Sequence, residues 1–199
     1  MAMTKLEARN TIIKCAKLYA ENMCNKELLF IYFINSKIQF INVSYSPTNY
    51  KHLTGIESNC NPTNFFNYCL NSQITEHQIN FKKNGTTILK LKVLENIMNI
   101  AHRAKFLGDY LDSHVYLELD KVIGNIACGL GVGKKATHYY PKSVLHGDIR
   151  QQLTNAHKIS AVFEKTIGKS DYKLIRIAKS LSEEHIQKIH SLLEQLKNQ

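Results

Sequence analysis

Residues 27–44 read ELLFIYFINSKIQFINVS, and this stretch decides the fold. Its first half, 28–34, is the longest uninterrupted apolar run in the chain, of strand length and far short of the ~20 residues a membrane-spanning helix needs. Asn35-Ser36 separates it from a second β-rich run at 37–44, so the two form a hairpin with a tight turn, and Pro47 ends the second strand.

Before the hairpin, residues 4–24 place Leu6, Ile12, Ile13, Ala16, Tyr19, Ala20 and Met23 at helical spacing among Lys, Glu and Arg, an amphipathic helix suited to packing on a sheet. After it, PTNFFNYCL at 62–70 starts with Pro at a first helical turn. Asn84-Gly85 marks a turn, after which Thr86 or Thr87 caps a helix with Ile88, Leu91, Leu94, Ile97 and Met98 on one face, Lys90 and Lys92 pointing away. From 105 to 179 the pattern turns to strands: 104–111, 114–126, a run around 136–140, 158–166 and 172–179, a meander of antiparallel strands. The last helix carries Ser180 and Glu183 as a capping box and an apolar stripe of Ile186, Ile189, Leu192, Leu193 and Leu196.

This order predicts an α+β fold, N-terminal helices packed on a mostly antiparallel sheet with a C-terminal amphipathic helix. A length of 199 residues suits one domain over 1–199, with a core at about 28–179 and flanking helices at 4–24 and 181–198. Lys5, Glu7 and Arg9 stand where a signal peptide would be apolar, so the expected compartment is the cytoplasm, with no membrane partner. The five cysteines are widely spaced with no CxxC pair and read as reduced thiols.

The net charge is +10, unevenly spread. Residues 1–120 hold 13 basic and 10 acidic side chains, residues 121–179 hold 11 and 3, and residues 180–199 hold 2 and 3. An excess of eight in one segment predicts a positive face for a polyanion, with nucleic acid the leading candidate and an anionic membrane surface the second. Against this, 22 of the 26 cations are Lys, and a Lys-heavy surface can also be simply solubilising. GLGVGKK at 129–135 lacks the spacing of a phosphate loop or dinucleotide fingerprint and reads as a flexible basic loop whose Lys134 and Lys135 meet phosphate.

The chain has no HExxH and no carboxylate cluster, so neither metal nor other cofactor is expected. Phosphodiester chemistry would then fall to His, Lys, Tyr and Ser/Thr side chains acting as base, acid and cation. Residues 45–55, YSPTNYKHLTG, hold hydroxyls, Lys51 and His52 in a loop at a strand end, and 137–143, THYYPKS, hold a similar set.

In order, HLTGI at 52–56, Phe65-Phe66, Thr86-Thr87 with Lys90 and Lys92, KFxGDY at 105–110, DKxIGN at 120–125 and YPKS at 140–143 resemble a phage- and mobile-element-associated group. It is the fourth group of the barnase, EndoU, colicin and RelE class of nucleases. The resemblance covers roughly residues 28–165. It implies a compact α+β, metal-independent ribonuclease leaving a cyclic phosphate, with RNA the expected partner. It further implies catalytic roles for His52 as base or acid, Thr54 as its hydrogen-bonding partner, Lys90 as phosphate contact or transition-state cation, and Tyr140. Lys51, Lys92, Lys121, Asn125, Lys134, Lys135 and Lys142 are the expected nucleic-acid contacts. A cognate inhibitor or host protein is a further expected partner. None of these motifs offers an Arg, which weakens the expected charge stabilisation.

Two other readings stay open. A non-catalytic nucleic-acid- or protein-binding module, such as a phage-encoded inhibitor, predicts a flat basic face with His52 and Thr54 buried and bonded to backbone. An ADP-ribosyltransferase-like enzyme requires a narrow pocket with a stacking aromatic and a carboxylate, Glu118 or Glu164.

Overall fold

The computed structural model describes residues 3–111, 118–136 and 138–197. The hairpin forms as the sequence requires: β1 (Lys26–Ile34) pairs antiparallel with β2 (Lys37–Ser44), and Ile34 faces Lys37. Asn35 and Ser36 take positive φ (47° and 62°), the backbone that a two-residue hairpin loop favours. From Leu28 onward β1 is apolar, because both of its faces are covered. Leu28, Phe30 and Tyr32 face the main core, and Leu29 and Ile31 face a second one beneath the C-terminal helix.

The remaining elements are α1 (Lys5–Asn22), α2 (Asn49–Thr54), α3 (Pro62–Leu70), α4 (Thr86–Met98), α5 (Ile100–Arg103), β3 (Phe106–Tyr110), β4 (Lys121–Gly124), β5 (Cys128–Lys135), β6 (His138–His146), β7 (Leu153–Thr166), β8 (Lys173–Ile177) and α6 (Glu183–Lys197). The α+β class and the flanking helices are as expected. The sheet order is β1-β2-β6-β5-β4-β3-β7-β8, and β1 also pairs with β7. Seven strands therefore form a closed ring of pairings, with β8 attached outside β7. The pairing of β2 with β6 at Val43 and Tyr139 is parallel, and the other pairings among the named strands are antiparallel. β3 to β6 run as the expected meander; β7 then returns to pair with both β3 and β1.

Four local expectations change. Residues 129–135 are not a flexible loop but lie within β5, where Cys128, Leu130 and Val132 enter the core. The alternating glycines face closely packed neighbours: a Cβ on Gly129 would sit 2.5 Å from Ile149 Cγ2, and one on Gly131 2.5 Å from Leu119 Cδ1. Neither Thr86 nor Thr87 caps α4. Its N-cap is Gly85 at φ 74°, while the buried Thr87 hydroxyl donates to the Gly55 carbonyl at 2.7 Å. At α6 the Ser182 hydroxyl, not Ser180, accepts from a backbone amide, that of His185. Residues 45–55 are mostly helix α2 rather than loop, and Tyr45 and Tyr50 are wholly buried. Tyr19, Tyr50 and Phe66 pack edge-on or tilted with centroids 5.3–5.6 Å apart, anchoring α2 beneath α1 and α3. Of the expected strand at 114–126 and the stretch at 137–143, residues 114–117 and Thr137 lie outside the described residues.

Candidate active site

The polar side chains of interest fall into two groups. The first sits on helices. α2 ends at Gly55, whose φ of +68° is the left-handed conformation glycine adopts without strain. His52, in the last turn, is exposed. Thr54 is buried; its hydroxyl donates to the Lys51 carbonyl at 2.8 Å and accepts from the Ile56 amide at 3.1 Å. Both of these bonds are made with backbone, so Thr54 is not placed as the partner of the His52 ring. Lys90, expected to point away from the buried stripe of α4, is instead half-buried. Its stem lies over Gly55, its Nζ donates to the His52 carbonyl at 3.3 Å, and burial, with the Lys82 charge adding, pushes its pKa down to about 8. The Lys51 ammonium donates to the carbonyls of Ser58 (2.6 Å) and Cys60 (2.7 Å), pinning the next loop.

The second group stands on strands and follows from the pleat. Phe30, Leu107, Ile123 and Ile159 point into the main core from β1, β3, β4 and β7. Successive side chains alternate faces, so the residue two along each strand points the same way. In the antiparallel directions these strands run, that residue is Tyr32, Asp109, Lys121 and His157. These polar side chains share the inward face of the ring with the apolar ones in a staggered layer, His157 standing opposite Leu107 and Tyr32 opposite Ile159. Tyr139 on β6, half-buried against the same core, joins it.

The contacts within this layer are between side chains. Lys121 Nζ donates to Asp109 Oδ1, and Asn155 Nδ2 donates to Asp109 Oδ2 at 3.3 Å. The Tyr32 and His157 rings stack with centroids 5.2 Å apart and planes 22° apart. The Lys121 hydrogen bond, the largest influence, holds Asp109 below the usual carboxylate range. Burial opposes the charge on Lys121, but its bond to Asp109, helped by the charges of Asp109, Tyr32 and Tyr139, outweighs it and raises the ammonium's pKa. Burial raises Tyr32.

Other expected contacts are scattered. Tyr140 is 37% exposed at β6 and covers Gly133; Lys134 and Lys135 are exposed at the end of β5, and Lys92 is exposed on α4. Lys142 Nζ donates to the Glu118 carbonyl at 2.5 Å. Asn125 is a turn residue, its Oδ1 accepting from the amides of Ala127 (2.8 Å) and Cys128 (3.2 Å). Of the two candidates for the carboxylate an ADP-ribosyl transfer would need, Glu118 has a side chain 98% exposed, and Glu164 is bound to Lys26 at 2.8 Å.

Residues 11–181 match the family described as phage-Barnase-EndoU-ColicinE5/D-RelE like nuclease4. The chain belongs to that family. The match takes in most of α1 as well as the ring of strands, and stops before α6. No curated protein and no solved structure matches the chain. Among the described residues no helix is long and apolar enough to cross a membrane.

Tyr32 and His157 were not among the sequence candidates; Asp109 and Tyr139 lay in quoted stretches without an assigned role, and Lys121 was a candidate contact. The usable signal was an ionisable or hydroxyl-bearing residue two positions from a core residue in each of several strands.

Proposed function

We propose that this chain is a metal-independent endoribonuclease of phage or mobile-element origin, working by side-chain acid/base catalysis at the polar layer inside the ring. The observation that carries the reading is the convergence of a His, a Lys, two Tyr and an Asp from five strands onto one layer. These groups supply what 2′-hydroxyl attack on a phosphodiester needs: proton acceptors and donors beside a cation for the phosphorane charge. Exposed Lys134 and Lys135, at the end of β5 beside Tyr139 on β6, suit the RNA backbone. The exposed His52 and half-buried Lys90, on helices that pack against β6, extend that contact.

The test compares a single-stranded RNA, the same sequence as DNA, and its fully 2′-O-methylated form, each incubated with purified protein in EDTA. RNA alone should be cut, leaving 2′,3′-cyclic phosphate ends. Cleavage of the methylated strand, or loss of RNA cleavage in EDTA that Mg²⁺ restores, overturns the reading.

A further inference from the structure

The positions of the five groups around the ring differ, and the difference separates their roles. In the order β1-β2-β6-β5-β4-β3-β7, closed by β1 with β7, His157 on β7 and Tyr139 on β6 stand three places apart. That is the widest separation seven strands allow. Lys121 on β4 lies two places from each, and Tyr32 on β1 is next to His157 and stacked on it. In-line displacement at phosphorus needs its base and its acid on opposite sides of the phosphate, with positive charge between them. The ring offers that arrangement.

We propose that His157 is the base, Tyr139 the acid and Lys121 the cation of the cleavage step, with Asp109 and Tyr32 as positioning residues. The assignment rests on the ribonuclease reading above. His157 takes the proton of the 2′-hydroxyl as that oxygen bonds to phosphorus. The bond from phosphorus to the 5′-oxygen breaks, and Tyr139 gives that oxygen its proton. The products are a 2′,3′-cyclic phosphate and a free 5′-hydroxyl, with no water consumed. Lys121 keeps ammonium protons for the phosphate because Asp109 Oδ1 engages only one of its three. Asn155 holds the other oxygen of Asp109, so the carboxylate fixes where the ammonium points. The Tyr32 ring lies flat against the imidazole and sets its plane.

The decisive experiment uses two substrates: RNA, whose 5′-oxygen must be protonated to leave, and a ribonucleoside 3′-(4-nitrophenyl phosphate), whose leaving group needs no proton. His157→Ala should slow both by about 10²–10⁴-fold, and Lys121→Ala both by about 10²–10³-fold. Tyr139→Phe, which keeps the ring and its packing, should lose about 10²-fold on RNA and almost nothing on the activated ester. Asp109→Asn, which keeps an acceptor oxygen for Lys121, should recover much of the kcat that Asp109→Ala loses, with KM little changed. Equal slowing of both substrates by Tyr139→Phe, or full activity in His157→Ala, overturns the division of roles while wild-type cleavage keeps the ribonuclease reading. RNA left intact by the wild type ends both.

Discussion

The helix-borne group around His52 and the strand-borne group around His157 contain nearly the same inventory, a His, Lys residues and hydroxyls, yet those groups are occupied differently. At α2 the hydroxyls of Tyr50 and Thr54 and the ammonium groups of Lys51 and Lys90 all donate to backbone carbonyls. The Tyr50 bond is made to Ile12 within α1 and the others to backbone at a helix end or a loop, so these donors hold the scaffold together. Inside the ring, Lys121 bonds a side chain, Asp109, and Tyr32 stacks on His157. Side chains that hold one another in place are preorganised for chemistry; side chains that hold backbone are part of the scaffold.

The sharpest way to break this comparison is to remove each His. His157→Ala should reduce RNA cleavage by about 10²–10⁴-fold, whereas His52→Ala should cost less than about tenfold, as expected for a contact that only helps hold the RNA backbone. Equal losses would erase the distinction.

A smaller effect separates the scaffolds themselves. A Cβ on Gly124 would lie 2.2 Å from the Cys128 carbonyl oxygen, a backbone atom that cannot move aside. Gly124→Ala should therefore cost about 3 kcal/mol in urea unfolding. At Gly55 the built Cβ meets Lys90 Cδ at 2.9 Å, a flexible stem, so the φ of +68° supplies most of the penalty. Gly55→Ala should cost about 1–2 kcal/mol.

The smallest effect is a pH dependence confined to the helical group. Lys90 titrates near 8 in the fold, against an ordinary lysine value of 10.5, because it is buried. Between these values the unfolded chain binds more protons than the folded one, so this residue's penalty is full below pH 8 and fades as pH rises toward 10.5. Measured against Lys90→Met, the wild type should gain relative stability from pH 7.5 to pH 9.5. A flat difference would show Lys90 to be solvated.

Element by element, what the sequence disclosed is what local pattern can encode. The hairpin was legible because Asn35-Ser36 divides two β-rich runs, and α3 because Pro62 stands at a first helical turn. β5 was misread because its three glycines suggested mobility; their alternation with Cys128, Leu130 and Val132 was the strand signal. HLTG drew attention as a compact motif, yet its Thr and Gly serve the end of a helix. The layer inside the ring was not legible, because each strand contributes a single unremarkable residue and only the register of β1, β3, β4, β6 and β7 brings them together. Lys121 drew notice through the resemblance, whereas His157 sits in a segment, TNAHKIS, with no motif of its own.

The pairing of β1 with β7 also sets a timetable for the chain. Residues 26–34 emerge early in synthesis, but the strand that closes the ring over them spans residues 153–166. Until that strand arrives, His157 is missing, Tyr32 has nothing to stack on and the hairpin keeps an open edge. A nascent or prematurely ended chain therefore carries no assembled reaction centre. The inward-facing cluster thus comes into being only after most of the message has been read.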